Sequence, residues 1–361
     1  MKKLHTHLNA VKMKIKIVNI KPNSRFHFGN ISVDSDTALA DTDEYLHSDV
    51  LFGALVSNLS QIKPKPEIES FIEAFNNGNI LISSAFYCIE KTELSSNDPN
   101  KYLFFLPKPV TATSTIDLNN YDKIKGIKKV KFITYKTLEI KPENWKLNNS
   151  IGMHPIEYKE INNYVQSQSN FSFKEEINIT FYNKISTPNV NIHLSNKNAG
   201  HPFVVTSLQI SDLSCYGLKV HFYFLYNIKD KSQCANFELA TQLLAYNGVG
   251  GERSSGCGFI DGIREAEYIP PYFTSLDINK FQMTLSKVIP KNKEELSNFL
   301  ALNTSIRGGR NSEKGPFRKV RMINEGSIFS NNVVGKNEEL GTEQIRYGKC
   351  ISMNIPQMYS I

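Results

Sequence analysis

The chain has 361 residues, 40% of them apolar with 22 Phe and 16 Tyr, which is enough for real cores in one large or two ordinary domains and excludes a disordered polypeptide. Its net charge of +7, from 42 Lys and Arg against 35 Asp and Glu, favours an anionic partner without choosing between nucleic acid and a merely solvated surface. The five cysteines (Cys88, Cys215, Cys234, Cys257 and Cys350) show no CxxC or His/Cys cluster, and no segment approaches the ~20 apolar residues of a membrane span, so neither a zinc site, a disulfide framework nor a membrane anchor is expected, and a reducing cytoplasm is the expected compartment.

Residues 1 to 12 read as an N-terminal extension, because Met13 opens a cleaner strand, Lys14 to Ile20, with period-two alternation at its start. Pro22 to Gly29 breaks that strand, and the polar run Asp34 to Glu44 reads as a loop. A helix follows from about Ser48, a candidate cap, with Leu51, Leu55 and Leu59 on one face. A second helix, Glu67 to Phe75, leads to strands at Ile80 to Ser83 and on to Phe86-Tyr87, then to Tyr102 to Phe105, which Leu106-Pro107-Lys108-Pro109 ends.

Much further on, Asn236 is a plausible helix cap and Phe237, Ala240, Leu243 and Leu244 recur at helical spacing, with Gly248 where a C′ glycine would stop the helix. Phe259 to Ile263 and Tyr268-Ile269 then read as strand. The order βαββαβ is the split arrangement of ferredoxin-like and RNA-recognition domains, here with a long insertion at 107–235. That insertion holds a lysine-rich portion from Lys123 to Lys146, a polar stretch at 183–201 that predicts a projecting loop, and an apolar strand pair around Val204-Val205 and Val220 to Phe224. From about Ser275 come a strand at Met283 to Ile289, a helix at Lys293 to Leu300, a glycine-arginine turn, a strand pair around 318 to 329 and a closing strand near Ile351 to Ile355. The expected class is therefore α+β: two ferredoxin-like, RRM-like βαββαβ lobes, 13–272 and 273–361, with a glycine-rich loop between helix and strand in the first.

That loop, Gly248 to Gly258, carries five glycines, Arg253 and the hydroxyls of Ser254 and Ser255 in eleven residues. Backbone without Cβ atoms at Gly250, Gly251 and Gly256 can bring N–H groups close to phosphate or sugar oxygens, and an arginine adds a forked, charge-assisted donor. Its helix, loop, strand order and its spelling both separate it from nucleotide-binding P-loops and dinucleotide fingerprints, which run strand, loop, helix.

A second basic site is Arg307-Gly308-Gly309-Arg310, followed by Lys314, Arg318, Lys319 and Arg321, with Glu313 as the one acid among them. Arginines with paired glycines suit a sugar-phosphate backbone. His27, beside Arg25 in Arg25-Phe26-His27-Phe28-Gly29, and His47, beside Ser48, could each face a phosphate. Either could also serve as general base in metal-independent RNA cleavage, the alternative function to be tested. The carboxylates of Asp34, Asp36, Asp41, Asp43 and Glu44 lack calcium-loop spacing, and no metal or cofactor is expected.

Taken together, His47 to Leu55, Leu106 to Pro109, the loop Gly250 to Gly258, Ile306 to Arg310 and Arg318 to Phe329 resemble, in order and spacing, subunit four of the Csm effector complex of type III-A CRISPR systems, in the RAMP superfamily. The resemblance covers nearly the whole chain from Met13. It implies two RNA-recognition-like lobes and no catalytic activity. It also implies binding of the repeat-derived 5′ handle of the guide RNA, contacts with the large polymerase-type subunit and the backbone RAMP subunit, and an indirect relation to target RNA. The insertion around 183–201 is similar to the thumb-like hairpin with which such subunits disrupt the guide-target duplex. The chain departs from the family in Cys257, where an aromatic is frequent, and in Glu252, where a basic residue is frequent.

Overall fold

The computed structural model describes residues 13–29, 39–117, 120–168, 177–191, 201–277, 279–311, 315–316, 318–341 and 344–360, so the extension 1–12 and the acids Asp34 and Asp36 lie outside the described residues. In chain order the first part contains β1 (Lys14–Asn19), β2 (Arg25–Phe26), α1 (Ser48–Leu59), α2 (Lys65–Asn76), β3 (Ile80–Ile82), β4 (Phe86–Lys91) and β5 (Tyr102–Pro107). Then come α3 (Tyr121–Lys129), β6 (Phe132–Thr134), β7 (Lys146–Asn148), β8 (Ile151–Met153), α4 (Pro155–Gln168), β9 (Tyr182–Asn191), β10 (His201–Ile210), β11 (Leu218–Ile228), α5 (Cys234–Asn247) and β12 (Gly262–Glu265).

The main sheet runs β12-β1-β11-β4-β5-β6-β8-β7, with β3 also paired to β11. Its first four strands enclose α1 between β1 and β4 and α5 between β11 and β12, so the βαββαβ strands stand in the order fourth, first, third, second. The third strand is β11 and not Tyr102 to Phe105, which instead extends the sheet beyond β4. Both strands are interior to the sheet and buried; what separates them is pairing, since β11 runs eleven residues between β1 and β4 whereas β5 pairs with β4 and, on its other side, with β6. The expected insertion at 107–235 thus includes the middle strand of the sheet, and the excursion lies between the second and third strands.

Two local expectations shift. α1 takes His47 as its cap residue with no side-chain cap bond, and Ser48 is the first helical residue. α5 starts at Cys234, which puts Asn236 inside its first turn, while Gly248 does end it with a φ of +72°. β1 alternates as its sequence suggests only in part. Lys16 is buried beneath α5, where its ammonium reaches the Glu238 carboxylate at 2.7 Å.

The second part contains β13 (Gln282–Thr284), α6 (Lys293–Ser297), β14 (Phe299–Ala301), β15 (Thr304–Arg307), β16 (Arg310–Asn311), β17 (Gly315–Pro316), β18 (Val320–Ile323), β19 (Ile328–Phe329), β20 (Glu338–Glu339), β21 (Ile345–Arg346) and β22 (Ser352–Asn354). The strand pair expected around 318 to 329 belongs to two sheets: β18 pairs with β15, and β19 lies between β14 and β13. The four-stranded sheet β14-β19-β13-β22 has β13 as its first strand and α6 before its second. Its order, read from the other edge, is again fourth, first, third, second.

The main sheet packs its two faces differently. One face, with Phe222, Phe224 and Tyr87, meets Phe52 and Leu55 of α1, Phe71 and Phe75 of α2, and Phe237 of α5. The other face, with Ile15, Ile17 and Tyr223, meets Met283, Leu285, Ile328 and Met353 of the second part. The two parts therefore share a core. β9 and β10 form a hairpin in register from Tyr182↔Ile210 to Asn191↔His201, joined to the body through β2. Its base is buried at Thr206, Ser207 and Leu208, and its far half is exposed at Val190 and Val204. The polar stretch expected as a projecting loop is thus a projecting hairpin, and residues 192–200 lie outside the described ones.

Candidate nucleic-acid interface

The glycine loop is anchored by its own backbone. Val249 donates its N–H to Gly258 (3.0 Å), which closes the loop. Gly251 donates to the His27 carbonyl (2.8 Å) and Gly258 to the Arg25 carbonyl (2.6 Å), which ties it to β2 and the residue that follows. A Cβ at Gly250 would stand 2.5 Å from the His27 carbonyl oxygen, and one at Gly258 would stand 2.4 Å from that of Val249. These two glycines therefore answer to close approach within the chain. Gly256 differs, since nothing lies within 4 Å of its Cβ position and its φ is +85°. It sits at an exposed tip.

Around that tip Arg253, Ser254, Ser255 and Gly251 are exposed, as is Arg25 alongside. Arg253 makes one long internal contact, Nη1 donating to the Asn247 carbonyl at 3.3 Å, which leaves most of its fork facing solvent. Ser255 donates its hydroxyl to Glu252 (3.1 Å), and Glu252 itself takes a left-handed φ of +54°. Glu252 thus has a local use: its side chain holds the loop's own hydroxyl. Beneath the loop, His27 is buried, with Nδ1 2.8 Å from the Thr206 carbonyl of β10. It links the loop to the base of the hairpin.

The second basic site divides. Arg307 is only 5% exposed, its Nη1 2.6 Å from Asp43 and its Nε 3.2 Å from Asp49. It is not the exposed phosphate donor that its sequence context suggests, because β15 turns the guanidinium inward onto two carboxylates. Gly308 is buried beside it, its carbonyl accepting from Arg346, while Gly309 is half-buried. Arg310 falls on β16, and its side chain lies outside the described ones. Arg318 and Lys319 are exposed, with Arg318 paired to Glu338.

His47 and Ser48 enter the same buried junction as Arg307. The His47 ring lies 2.8 Å from Glu325 and 3.2 Å from Asp43. Burial disfavours its charged form, but Glu325 and Asp43 outweigh this and raise its pKa. Burial would likewise raise Glu325, yet His47 and Lys287 hold it well below the usual carboxylate range. Ser84 donates to Glu325, and the Ser48 hydroxyl accepts the Lys287 N–H (3.0 Å). Asp49 is flanked by Arg307 and by Arg346 (2.8 Å). His27 is buried beneath the loop, and His47, which borders the cleft above the junction, has both ring nitrogens taken up by Glu325 and Asp43, so the arrangement favours neither as the base of a nuclease.

Sequence reasoning does not reach Asp49, Lys287, Glu325 or Arg346, since their partners lie hundreds of positions away and only the packing of the second part on α1 unites them. Above the junction opens a cleft of about 620 Å³, with Lys108, Lys131 and Lys184 on its walls. Burial, reinforced by Lys131, lowers the Lys108 ammonium to about 8.

An α+β chain built on a large multi-stranded sheet, with an exposed glycine loop between helix and strand and a projecting hairpin, is RAMP-like in fold. No family model matches the chain. It is a homologue of the Methanocaldococcus jannaschii protein described as CRISPR system Cms protein Csm4, at 28% identity over 92% of this chain and 89% of that one. A chain in the crystal structure of a Csm3-Csm4 subcomplex of the type III-A CRISPR-Cas interference complex superposes with a TM-score of 0.67 at 24% identity, over 95% of this chain and 99% of that one. A chain in a Csm1-Csm4 cassette in complex with AMPPNP gives 0.55 at 18%, over 96% and 98%. Among the described residues no helix is long and apolar enough to cross a membrane.

Proposed function

We propose that the chain is a non-catalytic, guide-RNA-binding subunit of a type III-A Csm interference complex, in which the glycine loop and Arg25 hold the repeat-derived 5′ handle. In this reading it contacts the large polymerase-type subunit and the backbone RAMP subunit, and it meets target RNA indirectly through the hairpin. The observation that carries it is the loop itself: its base is fixed by backbone hydrogen bonds, while its tip turns Arg253, Ser254, Ser255 and Gly256 to solvent. The N–H groups of Gly251, Ser255, Gly256 and Gly258 are spent on carbonyls of the chain itself, so what the tip offers a phosphate-sugar backbone is the guanidinium of Arg253, with Arg25 alongside, and the Ser254 hydroxyl. Likeness to Csm4 over nearly its whole length supports the assembly partners.

The division into two ferredoxin-like lobes, 13–272 and 273–361, is supported by the shared strand order of the two sheets. The buried junction of His47, Ser48 and Arg307 then acts in holding the lobes together, and RNA contact falls to the exposed residues.

The test is Arg253→Ala measured against handle RNA over a range of salt. Affinity is expected to drop for all handle sequences, with the slope of log K against log salt reduced by about 0.7. An unchanged slope with an altered base preference would show that Arg253 reads a base edge, against the backbone contact proposed here.

A further inference from the structure

A second cleft, of about 490 Å³, shares no residue with the loop or the junction. One wall is the pair Tyr135 and Tyr272, whose rings are parallel to within 6° at 4.0 Å between centroids. Tyr102 at the start of β5 forms part of another wall. Glu157, from the first turn of α4, lines the cleft although it is only 8% exposed. Its carboxylate accepts a hydrogen bond from the buried Thr134 hydroxyl and has no ion-pair partner among the described residues. Lys91 and Lys136 also line the cleft, as do the carboxylates of Glu139 and Glu160, and neither lysine makes an ion pair among the described residues. Lys91 sets its ammonium 5.6 Å from the Tyr164 ring centroid.

Each part has a chemical meaning. Flat, parallel aromatic surface suits a planar ring system and accepts any base. A nearly buried carboxylate accepts hydrogen bonds and has nothing to donate when ionised, so it selects a ring that carries N–H donors on its edge. Lysines beside an aromatic wall supply point charges for a phosphate. A volume of this size lies within the range of small-ligand sites. A guanidinium ligand would satisfy the tyrosines and the three glutamates Glu139, Glu157 and Glu160, and it is the two lysines that favour a ligand carrying both an amino edge and a phosphate over it.

We propose that this cleft is a nucleotide site: a base with an exocyclic amino group lies against the tyrosine wall with its amino edge on Glu157, and its phosphate lies toward Lys91 and Lys136. The chemistry is the same for a free mononucleotide and for one nucleotide of a single strand. The reading does not depend on how the guide handle is held.

The test is isothermal titration of the full chain with AMP, CMP, GMP and UMP. Saturable binding is expected, with the three amino-bearing nucleotides at least about tenfold tighter than UMP. Glu157→Gln keeps the shape and the Thr134 contact, and is expected to erase that preference. Lys136→Ala is expected to weaken AMP while leaving adenosine unchanged, a split that a purely structural lysine would not produce. Competition between AMP and a short adenylate oligomer separates the sources. Displacement of AMP by the oligomer at tenfold lower concentration assigns the site to a strand, and equal potency assigns it to free nucleotide. The proposal is overturned by absence of saturable binding, by equal affinity for all four nucleotides, by an unaltered preference in the Glu157 variant, or by binding of arginine amide in place of AMP.

Discussion

Replacing Arg307 with alanine distinguishes a structural arginine from an RNA-binding one. Its guanidinium spans Asp43 at 2.6 Å and Asp49 at 3.2 Å, and the Asp49 side chain has no exposure at all. In Arg307→Ala, Asp49 keeps only Arg346 at 2.8 Å, and Asp43 keeps only His47. Breaking a buried ion pair by removing one partner costs about 3–5 kcal/mol, and the surviving cations place this case near the lower end, at about 3 kcal/mol. With a urea slope of roughly 3 kcal/mol per molar, the unfolding midpoint should fall by about 1 M. Arg307→Lys keeps the charge but loses the two-pronged geometry, so its loss should be smaller yet measurable. Urea unfolding followed by tyrosine fluorescence reads the midpoint, and handle-RNA titration without denaturant reads the salt slope, which should not change. An unchanged midpoint accompanied by a slope reduced by about 0.7 would refute the structural assignment and return Arg307 to the RNA.

Gly250→Ala should destabilise the chain by about 1–3 kcal/mol through a positive-φ residue forced against the His27 carbonyl. Gly256→Trp meets no neighbour but must hold a φ of +85°, so it should cost about 1 kcal/mol, less than Gly250→Ala with its added clash, while abolishing handle binding, a contrast read by unfolding and by RNA titration. The junction also predicts a pH window. His47 has a raised folded-state pKa, so its contribution is complete below about 6.5 and is lost as pH climbs through the raised value. Glu325 has a lowered one, so its contribution is present above about 4.3 and is lost as pH falls through the folded value. Stability should therefore peak between about 4.3 and 6.5, and His47→Asn should flatten the alkaline flank in urea midpoints taken from pH 4 to 9. Replacing the far part of the hairpin, 188–204, with an Asn-Gly turn should leave guide loading nearly intact while altering target pairing beside the handle, as measured by target-strand protection. Loss of guide loading would contradict that division of labour.

The sequence by itself determined α1, α2, α5 and the exposed loop, but not α3, α4 or the strands β6 to β8 of the excursion. Leucines spaced by four made α1, the glycine after Leu244 ended α5, and five glycines around Arg253 marked a surface where backbone comes close to something. Such features are legible because they depend on neighbours in the chain: helix periodicity, a C′ glycine and loop composition all act over a few residues. Tertiary structure alone decided which strand stands between the first and second, since Tyr102 to Phe105 and Leu218 to Ile228 both end up buried within the sheet and only long-range pairing with β1 distinguishes the latter. It also decided the fate of charge. Arg253 and Arg307 each stand among glycines, yet one faces solvent and the other is closed in by Asp43 and Asp49. The difference comes from carboxylates 264 and 258 positions distant in the chain. Such pairing is set by how the second sheet packs on α1, and no spacing in the sequence encodes it.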